Sequence, residues 1–253
     1  MYKALGTAVR TLTIIPLPGN GGGERWGASL LFFPLVGVTL GAVSLGAQAV
    51  AHHLPRMETL LWAILSVGIV TWLTGCIHVD GVGDGADAFG AGRGRDRVLE
   101  ILKDSRHGTY GVCAIFFDLS VKTIMWNSLL KAGSAWVIVT SLAMSRCMQA
   151  AALAYIPNAR PQTSAAAVFA TPGAKVSACA GFAVSCICLF LYANPLRGAV
   201  IVAATVIPFA ILSLYFMRRI GGITGDCVGV INECVEIAVL ITGMSMVHGS
   251  STI

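Results

Sequence analysis

Apolar stretches of the length that crosses a bilayer, about 20 residues each, recur along this chain between short polar joints. Uncharged runs extend from Trp26 to Ala51, Thr59 to Ile77, Val176 to Leu196 and Gly198 to Met217. Three more carry isolated charges: Thr109 to Leu130 holds Asp118 and Lys122, Ala132 to Ala159 holds Arg146, and Val228 to His248 holds Glu233 and Glu236 in its opening turns. Pro34 and Pro208 fall inside two of the runs and are expected to kink them. Thr7 to Leu17 reads as a short interfacial helix. Asp96 to Ser105 reads as an amphipathic one, with Val98, Leu99, Ile101 and Leu102 on its apolar side and Glu100 and Asp104 on its polar side. The pattern predicts an all-α fold: a polytopic transmembrane helical bundle of about seven spans, forming a single integral membrane domain over residues 1–253, with an interfacial helix on its cytoplasmic side.

Composition removes the alternatives. The chain is 56% hydrophobic and only 11% charged, against about 25% charged in soluble domains. A water-soluble domain, a disordered chain and a nucleic-acid binder are excluded. With seven spans, Lys3, Arg10, Arg25, Arg93, Arg95, Arg97, Lys103, Arg106, Arg160, Lys175, Arg218 and Arg219 fall on one side, and only Arg56, Lys131 and Arg197 on the other. Lysine and arginine mark the cytoplasmic side, so the N-terminus is expected in the cytoplasm and the C-terminus outside. No cleavable signal peptide is expected, because the first 25 residues hold charges and the Pro16-Leu17-Pro18-Gly19 breaker. The eight cysteines form no C-x-x-C pair and read as small buried hydrophobes.

Against this background the acids stand out. Nine of the 12 lie in two clusters. One holds Asp80, Asp84 and Asp87, followed by Asp96, Glu100 and Asp104; the other holds Asp226, Glu233 and Glu236. At about 100° per residue, Asp80, Asp84 and Asp87 share one narrow helical face, and Asp226 and Glu233 share another. Stacked like charges repel unless a hard cation lies among them. Mg²⁺ accepts carboxylates together with substrate phosphates, so the six acids from Asp80 to Asp87 and from Asp226 to Glu236 are candidate metal ligands. Glycines crowd both clusters and disfavour simple helices there; they suit a phosphate resting on main-chain N–H groups. Arg93, Arg95, Arg97 and Arg106 add cations, either for a diphosphate or for anionic lipid. Asp118 and Lys122 can pair across one turn, and Arg146 is expected to reach a carboxylate or phosphate from a neighbouring helix. His78 reads equally as a boundary residue or as a group contacting substrate.

Read together, Thr74-Gly75-x-x-His78-x-Asp80-Gly81-x-x-Asp84-x-x-Asp87 and Glu100-Ile101-x-Lys103-Asp104-Ser105-Arg106-x-Gly108-x-Tyr110-Gly111 resemble the motifs of the cobalamin synthase family. Gly221-Gly222-x-Thr224-Gly225-Asp226-x-x-Gly229-x-x-x-Glu233-x-x-Glu236 resembles its closing motif, and Ile15-Pro16-Leu17-Pro18, Pro34-Leu35-Val36-Gly37 and Arg160-Pro161 match in order. The chain departs at Gly83 and Ala88, both small-for-small changes. The resemblance implies an inner-membrane transferase of nucleotide loop assembly that uses Mg²⁺, joins adenosylcobinamide-GDP to α-ribazole or its 5′-phosphate, and releases GMP. It also admits contacts with other enzymes of that assembly. It makes His78, Asp104 and Arg106 catalytic candidates, and Gly81, Lys103, Ser105, Arg106, Arg146 and Gly225 substrate or phosphate contacts. Two other readings stay open. A phosphatidyltransferase of the CDP-alcohol type needs D-G-x-x-A-R, which is missing here. A transporter should carry its ionisable residues near the midplane, whereas these clusters are expected at one interface.

Overall fold

The structure, a computed structural model, describes residues 1–17, 25–53, 58–91, 94–104, 106–160 and 165–248. Among them the regular structure is helical, apart from one isolated bridge between Asn158 and Ile223. Helix α1 (Tyr2–Leu12) is followed by a short α2 (Trp26–Ser29) and a 3-10 turn leading into α3 (Phe33–His53). Then come α4 (Thr59–Leu73), α5 (Ile77–Ala91), α6 (Arg95–Ile101) and α7 (Thr109–Lys131). Helices α8 (Trp136–Tyr155), α9 (Ala174–Tyr192), α10 (Pro195–Ile220) and α11 (Gly225–His248) complete the chain. Among the described residues six helices are long and apolar enough to cross a membrane, and the bent pair α4–α5, taken as one span, raises the number to seven. This is a multi-pass helical membrane protein, as the hydropathy pattern predicts.

Backbone bonds gather the joints at one end of the bundle. The Ile14 N–H donates to the Leu73 carbonyl (2.8 Å), and the Ala159 N–H to the Ile223 carbonyl (2.8 Å). Arg95 Nε donates to the Ile220 carbonyl at 3.0 Å, tying α6 to the end of α10. The joint after α1, the end of α4, helix α6 and the loops after α8 and α10 therefore share one face. Twelve of the basic residues belong to the joints expected on that face. At the centre, α8 is the most buried span, packed between α3 and α11. Gly37 of α3 lies so close to the Leu142 carbonyl of α8 that a side chain there would overlap it, the small-residue packing common between membrane helices.

Several expectations need correction. The run from Thr59 to Ile77 is not one straight span: α4 ends at Leu73 and α5 leaves at 86°. Gly75 (φ 62°) and Cys76 (φ 60°) make the turn, two successive residues in the left-handed region. Glycine is at ease there; a cysteine is not. The glycines of the first acid cluster do not keep it from being helical, since α5 runs unbroken through Gly81, Gly83, Gly85 and Gly90. It is wedged between α7 and α11. A Cβ on Gly81 would lie 2.8 Å from the Asp226 carbonyl on α11, and one on Gly83 would lie 2.8 Å from Ile115 of α7. Close packing on two faces absorbs the cost of those glycines in a helix. The N-terminal helix spans Tyr2–Leu12 instead of Thr7 to Leu17, with Ala4, Thr7, Ala8 and Leu12 buried. The second amphipathic helix is only Arg95–Ile101, held down by buried Val98. Pro208 sits within α10, which continues through it.

Candidate active site

The sharp turn at Gly75 swings α5 across the end of the bundle where the joints meet. Asp80 and Asp84 lie one turn apart on α5 and project to the same side. His107, from the joint before α7, lies between them: Nε2 is 3.4 Å from Asp80 Oδ1 and Nδ1 is 3.4 Å from Asp84 Oδ1. Asp226 joins them from the first turn of α11, where its backbone packs on Gly81 and its charge faces those of Asp80 and Asp84. The Thr224 hydroxyl donates to Asp226 Oδ2 at 3.1 Å and fixes that side chain. Among the described residues none of these three carboxylates is paired with lysine or arginine. All three are exposed or half-buried. Asp80 and Asp84, with His107, bring one donor atom each within 4.8 Å of the others. Asp226 stands outside that group, facing it from α11, so the acids of α5 are the donors best suited to a divalent cation.

Asp87 shares their sequence pattern but turns elsewhere. It is buried, and its carboxylate accepts the Gly108 N–H (2.6 Å) and the Gly111 N–H (2.9 Å). It satisfies N–H groups at the start of α7 that have no partner within that helix, with its negative charge at the positive helix end. Both oxygens are engaged, so Asp87 acts in the structure as the anchor between α5 and α7.

The second acid cluster divides by depth. Glu233 and Glu236 are buried at 3% and 2% exposure. Lys122 of α7 is paired with Glu233 and lies 3.1 Å from Asp118. Arg146 Nη1 of α8 donates to Glu236 Oε2 at 2.8 Å and to the Ser145 hydroxyl at 2.9 Å. Lys122, Asp118, Arg146, Glu233 and Glu236 thus form an ion-paired layer inside the bundle. His78 is buried beside this layer, facing the charges of Arg146, Glu233 and Lys122 and the side chain of Gln149.

The remaining candidates lie on the outer face. Asp104 accepts two bonds from the Arg106 guanidinium (2.9 and 2.8 Å) and one from its backbone N–H (3.1 Å). Those bonds hold the Asp104 carboxyl at a pKa of about 2 and raise that of Arg106. A carboxylate so weakly basic is a poor proton acceptor. Arg95 is committed to backbone carbonyls and Arg97 to Glu100. Lys103 and Gly225 are exposed. Gly81 is buried against α11, which accounts for that glycine without a phosphate. Ser105 and Arg93 lie outside the described residues.

Comparison with known proteins places this geometry. A family model described as cobalamin-5-phosphate synthase matches residues 4–244, which include every motif above from Thr74 to Glu236. An adenosylcobinamide-GDP ribazoletransferase of Chlorobium phaeobacteroides (strain BS1) is 33% identical over 244 residues, covering 96% of this chain and 97% of that protein. Proteins of the same name from Chlorobaculum parvum (34% over 245 residues, 94% of each chain) and Bradyrhizobium diazoefficiens (31% over 220 residues, 85% and 82%) are similar. The chain belongs to the cobalamin-5-phosphate synthase family. No solved structure matches it. As a family member it is a transferase enzyme of cobalamin assembly, which sets aside the transporter and CDP-alcohol readings.

Within this family member, sequence reasoning missed His107. It is only an unspecified position in the motif from Glu100 to Gly111, and no spacing rule links a histidine to acids 23 and 27 residues earlier. Its one signal was position, directly before the glycine that opens α7. The α5–α7 anchor also yields a prediction. A Cβ on Gly111 would overlap the Asp87 carboxylate and lie 2.9 Å from the Gly83 carbonyl. Gly111→Ala should cost about 1–3 kcal/mol, the usual penalty for overpacking, and displace Asp84 with its helix. Thermal unfolding in detergent should show a lowered midpoint; an unchanged midpoint would mean the anchor does not constrain α5.

Proposed function

We propose that this protein joins adenosylcobinamide-GDP to α-ribazole, or to its 5′-phosphate, in a Mg²⁺-dependent reaction at the cytoplasmic face of the cell (inner) membrane. A ribose hydroxyl oxygen bonds to the cobinamide-side phosphorus, the bond from that phosphorus to the bridging oxygen breaks, and GMP leaves with that oxygen. The hydroxyl proton passes to a base. The observation that carries this reading is the approach of Asp80 and Asp84 to donor distance of one another at one open end of the bundle, with Asp226 facing them from α11, in a chain of this family.

These residues fit the cation. Their oxygens are hard donors that no lysine or arginine pairs with among the described residues, and Asp80, Asp84 and Asp226 would hold Mg²⁺ while leaving positions for phosphate oxygens. When bound, the ion supplies charge neutralisation at the diphosphate and the leaving phosphate. The chain does the rest by positioning. Thr224 orients Asp226, and Asp87 locks α5 to the start of α7. The Asp104–Arg106 pair borders the site one residue from His107, where the Arg106 fork can exchange its carboxylate for a diphosphate. The buried layer of Lys122, Arg146, Glu233 and Glu236 holds α7, α8 and α11 together beneath the site. Glu233 and Glu236 serve there rather than on the metal.

The test is GMP release from adenosylcobinamide-GDP by purified protein in liposomes, with and without α-ribazole and Mg²⁺. Release that needs all three supports the proposal; release without α-ribazole would mean hydrolysis, and release unaffected by chelation would remove the metal. Orientation is tested separately. A reporter fused after Ile253 should read outside, and one in the joint between Gly90 and Arg97 should read cytoplasm. Both reading the same side would contradict the crossing number.

A further inference from the structure

Both ring nitrogens of His107 face carboxylates that the preceding section gives to a cation. Nε2 lies 3.4 Å from Asp80 and Nδ1 3.4 Å from Asp84. One donor atom from each of the three residues can be chosen so that all lie within 4.8 Å of one another. Two donors each about 2.1 Å from one ion, at octahedral to tetrahedral angles, are separated by about 3.0–3.4 Å. The ring is also held in place. A Cβ on Gly83 would lie 2.9 Å from His107 Cε1 and 3.0 Å from Nδ1, so the imidazole rests against the backbone of α5 between Asp80 and Asp84. The next residue, Gly108, is fixed by its N–H bond to Asp87 at 2.6 Å. The side chains of Asp80, His107 and Asp84 are 59%, 31% and 16% exposed, so the group runs from open to half-buried and an ion can reach it.

We propose that His107 is a ligand of the same ion as Asp80 and Asp84, and that the site therefore holds first-row divalent cations, from manganese upward through cobalt, more tightly than magnesium. The inference rests on the reading of Asp80 and Asp84 as a cation site. Magnesium is served by oxygen alone and keeps several waters. Imidazole nitrogen adds affinity in the order that runs from manganese through cobalt. Either nitrogen can be the donor atom, since a different aspartate lies 3.4 Å from each.

The test is pulsed electron paramagnetic resonance of Mn²⁺ added to the purified full-length protein in detergent, with Mg²⁺ affinity taken from displacement of Mn²⁺. Wild type should bind Mn²⁺ with a histidine ¹⁴N coupling. In His107→Gln the coupling should vanish and Mn²⁺ affinity fall about tenfold or more, with Mg²⁺ affinity changed far less. Gly83→Ala keeps the histidine but crowds its ring, and should weaken the coupling in the same direction. Bound Mn²⁺ without nitrogen coupling, or coupling that survives His107→Gln, overturns the assignment of His107 while leaving the carboxylate site standing. A signal from free aqueous Mn²⁺ alone overturns the carboxylate site itself.

Discussion

Asp84→Asn should reduce GMP release by at least about 100-fold, the scale on which single charge-stabilising groups act in catalysis, while the protein remains folded in the membrane. The substitution keeps the side-chain shape and removes one negative charge from a group that faces Asp80, Asp87 and Asp226. Relief of like-charge repulsion should leave the unfolding midpoint without Mg²⁺ unchanged or slightly raised, as at sites strained until their ligand arrives. Asp226→Asn should behave alike, and the double variant should be little worse than the worse single one, because groups acting on one ion are not additive. The measurements are GMP release against Mg²⁺ concentration and thermal unfolding with and without Mg²⁺. Asp84→Asn with a wild-type rate and Mg²⁺ dependence would remove Asp84 from the reaction. Loss of folded protein in Asp84→Asn would move it to the class of Asp87, whose carboxylate is consumed by backbone N–H groups.

The contrast between Asp84 and Asp87 marks what a sequence can and cannot reveal. Hydropathy located the spans because a bilayer demands apolar length and satisfied backbone groups, a requirement each segment meets alone. Helical spacing put Asp80, Asp84 and Asp87 on one face, and α5 is indeed a helix. A helical face is nevertheless a sector of about 60°, wide enough for one edge to meet solvent and the other a neighbouring helix. Asp87 sits on the α7 side, and only the packing of α5 between α7 and α11 reveals that. Glu233 poses the same difficulty along the axis. It shares a face with Asp226, yet seven residues of helix lower it by about 10 Å, from the open end of the bundle into its buried layer. Charge counting did anticipate part of that layer. A lone arginine within a span predicts a carboxylate or a phosphate beside it, and Arg146 takes the first of these, Glu236. The bend at Gly75 and Cys76 was not foreseen, because the apolar run continues across it to Ile77.

Arg146→Met should destabilise the protein more than any other single change considered, by about 3–5 kcal/mol, the cost of stranding one charge of a buried pair. Arg146 is 1% exposed, and its guanidinium donates to Glu236 and Ser145. Its removal leaves Glu236 as a buried carboxylate in a layer already rich in them, since Asp118 and Glu233 share the single cation Lys122. Replacing both partners removes the stranded charge. Arg146→Met combined with Glu236→Gln should recover most of the lost stability, a coupling that a double-mutant cycle reads directly. The cycle also decides between two roles for Arg146. An arginine that only pairs with Glu236 predicts that GMP release per folded molecule returns together with stability. An arginine that holds a substrate phosphate predicts a stable double variant that stays inactive. Glu236 occupies Nη1 at 2.8 Å, and the layer lies beneath the open carboxylates, so the first outcome is expected. Recovery of the unfolding midpoint without recovery of GMP release would return Arg146 to the substrate and draw the reacting phosphates deeper into the bundle than Asp80 and Asp84.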